Sequence, residues 1–137
     1  MRRWFVLLGL IASQAQAQPL WFTVTGNPDD PGVDTVEVDP VAVRTDGALK
    51  TMNVRVSRAA ERRNWDGLPY RSYESRVVFD CRARKGSYVE ATFYPVPLWR
   101  GAPKPTVDYS ANPRPMLFLD VEPNPTQRLI RAACRSH

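Results

Sequence analysis

Three stretches near the middle of the chain alternate apolar and polar residues with a period of two, and this limits the fold more than any other feature. In Leu49–Ser57, Met52, Val54 and Val56 alternate with Asn53, Arg55 and Ser57. In Tyr70–Cys81, one side carries Tyr73, Ser75, Val77, Phe79 and Cys81, while the other carries Glu74, Arg76, Val78 and Asp80. In Gly86–Tyr94 the apolar phase falls on Val89, Ala91 and Phe93. Successive side chains of a strand point to opposite faces, so each stretch reads as a strand with one wet face. Lys85-Gly86 marks a tight turn that makes the last two antiparallel neighbours. Together they present an apolar face that needs a cover.

The C-terminus supplies one. Asn124 is a good N-cap, Pro125 suits the first helical position, and the helix can run to Arg135. At helical spacing Thr126, Gln127, Ile130, Ala133 and Cys134 share a side, with Leu129 at its edge. Arg128, Arg131 and Arg135 lie opposite, where late positive charge suits the helix dipole. Cys134 points inward from this helix and Cys81 inward from its strand. They are the chain's two cysteines, and an even pair in an exported domain reads as one disulfide. It would close a loop of about 50 residues, worth about 4 kcal/mol by chain entropy.

Export is read from the first seventeen residues. Arg2 and Arg3 open Met1–Ala17, Trp4–Ala12 is an apolar run too short to span a bilayer, and Ala15-Gln16-Ala17 is a small-x-small cleavage pattern. The mature chain is expected to begin at Gln18, as one domain over 18–137. No cysteine follows the cleavage point to carry a lipid, and no later stretch has membrane-spanning length. The expected location is the periplasm, the cell surface or the medium.

Thirteen prolines cut the rest into short pieces. Leu20–Thr25 and Val36–Val38 are further strands, separated by the Asn27–Gly32 loop, and Asp46-Gly47 is a hairpin turn. Residues 95–115 read as proline-rich loop and Met116–Val121 as a last strand before the helix. The whole is α+β: an antiparallel sheet of about five to six strands with a C-terminal helix. Edge strands in so small a sheet leave room for a homodimer.

Several chemistries are excluded. The sole histidine is the last residue, His137, which rules against histidine-assisted nucleophiles and zinc sites. The glycines form no phosphate loop. The formal charge of +5 includes Arg2 and Arg3 of the leader, and no basic stripe marks a nucleic-acid binder. Asp29, Asp30, Asp34, Glu37 and Asp39 could gather calcium, but their spacing is that of ordinary turns. Asp120 and Glu122 could form an acid–base pair, yet acids are ordinary where a chain enters a helix. No cofactor or metal is expected. What remains is an arginine–aromatic set suited to binding: Arg62, Arg63, Trp65, Tyr70 and Arg71 around one inter-strand loop, with Arg58 beside them, and Trp99 and Arg100 in the later loop. The plainer alternative folds Trp65 and Trp99 over the core and leaves the arginines solvated.

The succession Val36-Glu37-Val38-Asp39-Pro40, Arg44-Thr45-Asp46-Gly47, Tyr73–Cys81 and Ala132-Ala133-Cys134 resembles the surface-adhesin protein E family of Gram-negative bacteria over about residues 20–135. The resemblance implies an antiparallel sheet whose concave face holds the C-terminal helix by a disulfide, at positions matched by Cys81 and Cys134. It also implies non-enzymatic binding of a host or extracellular-matrix protein. An envelope protein or an anionic polysaccharide is the other partner class considered, and a periplasmic accessory or structural role is the alternative function.

Overall fold

The computed structural model describes residues 20–135 and, outside them, Gly9 alone. The cleavage point before Gln18, the rest of the expected leader and His137 therefore lie outside the described residues. Among the described residues eight strands form one sheet: β1 (Phe22–Thr25), β2 (Thr35–Val38), β3 (Arg44–Asp46), β4 (Leu49–Arg63), β5 (Pro69–Asp80), β6 (Lys85–Tyr94), β7 (Val107–Asp108) and β8 (Arg114–Pro115). A 3-10 turn, Pro97–Trp99, and the helix α1 (Thr126–Arg135) complete the fold. The order is β1-β2-β4-β5-β6-β7, with β3 also on β4 and β8 also on β6, and every pairing is antiparallel.

The apolar phase of β4 meets like residues on both sides. Val54 faces Val38 and Ser75, Val56 faces Val36 and Tyr73, and Met52 faces Val77. The helix lies over this face and buries Leu129, Ile130 and Ala133. Asn124 caps it as expected, its Oδ1 accepting from Thr126 N–H at 2.9 Å. Leu129 is fully buried rather than marginal, and Gln127, expected inside, is exposed. Cys81 and Cys134 are bonded, with Cα atoms 5.5 Å apart.

Three differences from the expected elements have local causes. The turn between β5 and β6 falls at residues 81–84, with Arg84 at φ 55°, so Lys85 and Gly86 already belong to β6. A bulge follows: the β5–β6 register shifts between Arg76 and Val77, whose partners are Glu90 and Tyr88. Tyr88 therefore turns inward and is buried, while Val89 is left half-buried outside the apolar phase. Met116–Val121 is not a strand. Phe118 sits at φ 45°, which breaks the extended backbone, although Met116 and Phe118 are still buried and Leu117 and Leu119 exposed. The extra strands β3, β7 and β8 are two or three residues long, too short for a periodicity to reveal.

The other face is partly covered too. Arg55, out of phase with Val54 and Val56, bonds Glu37 at 2.8 Å and stacks on Trp99 at 3.8 Å and Trp21 at 4.5 Å. The 3-10 turn is pinned there by Leu98 N–H to Ser57 Oγ and Trp99 N–H to Ser72 Oγ.

Candidate functional site

Strand β4 runs six residues beyond its expected end at Ser57, and the site is built on this extension. Ser57 pairs with Ser72 and Arg62 with Tyr70, so residues 58–61 of β4 stand opposite Arg71 alone. Backbone carbonyls left off the ladder need other donors. Arg71 supplies them: its guanidinium donates to the carbonyls of Arg58, Ala59 and Pro31. Its place is that of a brace along the strands.

Beyond the irregularity the chain turns through residues 64–68. Asn64 Oδ1 accepts from the N–H groups of Asp66 and Leu68 at 3.0 and 2.8 Å, and Arg63 Nη1 donates to Gly67 O at 2.9 Å. These bonds fix the loop and hold Trp65 out, 47% exposed, against Tyr88 and Tyr109. Tyr109 donates to Asp66 Oδ2, and burial together with that carboxylate pushes its pKa up to about 12.

Between this loop and residues 115–120 lies a cleft of about 300 Å3. Its aromatic lining is Trp65, Tyr70, Tyr73, Tyr88 and Phe93, in successive edge-on or tilted contacts, with Phe118 on the other wall. The Tyr73 and Tyr88 hydroxyls bond each other, and burial raises the pKa of both, so both keep their protons. Exposed Leu117 and Leu119 stand on the opposite lip.

Arg58 anchors one end. It is 5% exposed, bonds Asp34 Oδ1 through Nε at 3.1 Å, and brings Nη2 within 2.9 Å of Asp120 Oδ2. That second contact is an ion pair whose angle falls short of a hydrogen bond, so Nη2 is left without an aligned acceptor. Burial opposes the guanidinium charge, but the contact with Asp120 and the charges of Asp34 and Asp120 outweigh it and raise the Arg58 pKa. Arg62 reaches the same Asp120 oxygen at 2.6 Å. Burial likewise opposes ionised Asp120, and its contact with Arg58 plus the charges of Arg58 and Arg62 prevail, lowering its pKa.

A lowered carboxylate pKa in the folded state means stability that is complete above the ordinary carboxylate range and is lost as pH falls through the lowered value. Asp120→Asn should therefore cost about 1 kcal/mol at neutral pH, a modest figure because Asp120 is half exposed. The Tm gap between wild type and variant should close in acid. A gap that stays constant down to about pH 3 would refute this account of Asp120.

The structure thus brings Arg63, Trp65 and Tyr70 together at one cleft, with Arg62 touching it through Asp120. Trp99 and Arg100 stand apart. Trp99 is on the opposite face of the sheet, its indole N–H donating to the carbonyls of Val56 and Tyr73, and Arg100 is exposed beside it. Tyr73 and Phe93 read as core positions of their strands, and Tyr88 reads on the polar phase of β6 until the bulge turns it inward, so none of the three stands out as a site residue. Asp120 is tied to arginines while Glu122 is exposed, so the pair does not form an acid–base set. The acids of the 29–39 stretch disperse: Asp34 serves Arg58, Glu37 serves Arg55, and Asp39 accepts from Val41 N–H. Among the described residues no three acids, cysteines or histidines gather where they could hold a metal. Nor is any described helix long and apolar enough to cross a membrane.

No curated protein and no solved structure matches this sequence. The family comparison does: surface-adhesin protein E matches residues 21–135, from the residue before β1 to the end of α1. With the sheet, helix and bridge of the fold in place over that same span, the chain belongs to the surface-adhesin protein E family.

Proposed function

We infer that the protein is an exported, non-enzymatic binding module that meets its partner at the Trp65 cleft. The observation that carries this reading is a half-exposed tryptophan held out by a hydrogen-bonded loop, beside arginines and over an aromatic floor. Aromatic and arginine side chains supply most binding energy at protein interfaces, and a fixed loop loses little entropy on contact. The family supports adhesion as the purpose, to which a matrix or host protein is suited as partner, and the net positive charge adds an anionic polysaccharide as the other partner class. The Met1–Ala17 leader supports export.

Arg63→Ala combined with Trp65→Ala is expected to weaken binding to immobilised matrix protein or heparin by about tenfold or more, with the fold retained. Surface plasmon resonance on both proteins measures it, and unchanged binding removes the cleft from consideration. Protease added to intact cells tests the purpose: digestion of the protein supports adhesion, whereas protection supports the periplasmic accessory role instead.

A further inference from the structure

We propose that the cleft receives the last residue of a partner polypeptide, its apolar side chain against Trp65 and Tyr70 and its free carboxylate against the buried Tyr73–Tyr88 hydroxyls. This rests on the reading of the Trp65 cleft as the binding site.

The polar atoms inside the cleft are unbalanced. Tyr73 and Tyr88 hold two hydroxyl protons, and their mutual bond uses one of them, whichever is the donor. Among the described residues the other proton has no acceptor. Asn64 Nδ2 is buried without a partner, and Arg58 Nη2 lacks an aligned one. All three surplus groups are donors, and Tyr73, Tyr88 and Arg58 are each more than nine-tenths buried. Buried donors are rarely left unused in proteins. A carboxylate, which only accepts, is the complementary group.

Charge and size agree. The charged residues lining the cleft are Arg58, Arg63 and Asp120, two positive against one negative. Ring centroids step 5.6 Å from Trp65 to Tyr88 and 5.6 Å from Tyr88 to Tyr73, so the indole is the direct neighbour of one ring of the hydroxyl pair. An internal residue followed by an acid would carry its carboxylate too far along. A terminal residue carries side chain and carboxylate on one Cα. The space of about 300 Å3 suits a single large apolar residue, and the preceding chain can leave across exposed Leu117 and Leu119.

The test is calorimetric titration of the protein with an acetylated pentapeptide ending in phenylalanine, as the free acid and as the C-terminal amide. The acid should bind about tenfold tighter or better than the amide. Tyr73→Phe with Tyr88→Phe, which keeps both rings, should erase that preference, and Trp65→Ala should weaken both peptides. Equal binding of acid and amide, or no binding of either, overturns the proposal. If the peptides fail while the Arg63/Trp65 double substitution still abolishes heparin or matrix binding, the site stands and this ligand class falls. If both readouts fail, the cleft itself is the wrong site.

Discussion

Replacing Cys81 and Cys134 together with alanine should lower the thermal midpoint by roughly 10–20 °C. The bridge joins residues 53 apart, and in the unfolded chain it closes a loop spanning β6, the residue 95–125 connection and most of α1. Chain entropy values such a closure at about 4 kcal/mol, most of it exerted on the unfolded state. Two measurements follow from that origin. The midpoint in denaturant should fall, and the slope m should rise, because the released unfolded chain exposes more surface. A double variant within a few degrees of wild type would show that the helix is held by packing alone.

Phe79→Ala should cost about 3–5 kcal/mol by a different route. Phe79 is fully buried on β5, two residues before the bridge, and its ring packs at the Gly86 position of β6. Its removal leaves a hole under α1 that Met116 and Val77, on the same site, only partly refill. This loss belongs to the folded state, so m should stay unchanged while the denaturant midpoint falls. If m rose as well, Phe79 would have to act through residual structure in the unfolded chain.

The two sites also mark what the sequence made legible. The alternation of β5, continued to Cys81, and the 3.6-residue spacing of α1 at Cys134 each place a cysteine inward, so the sulfur link between sheet and helix is legible in the sequence. The extension of β4 could not. Arg58-Ala59-Ala60-Glu61-Arg62-Arg63 has no alternation, because the strand loses its one-to-one pairing there and Arg71 supplies hydrogen bonds that a ladder would otherwise supply. Met116–Val121 misled in the opposite sense. Its residues alternate in burial as a strand would, but the backbone passes through the left-handed region at Phe118. At the cleft, Arg63, Trp65 and Tyr70 were visible because arginines and aromatics outside an apolar phase need an explanation. The floor was hidden, since a buried tyrosine in a strand looks the same whether or not its hydroxyl faces a cavity.

The single extra residue near Val89 makes β6 two half-strands of opposite parity. Gly86 and Tyr88 keep one phase and Ala91 and Phe93 the other, yet both halves face α1 and the cleft. An engineer who regularised the segment at constant length would have to sacrifice one half. Keeping Ala91 and Phe93 would put Ser87 and Val89 indoors and send the tyrosine out to solvent. The hairpin's irregular joint is thus what lets one strand close the sheet over Phe79 and also furnish a hydroxyl to the Trp65 cleft.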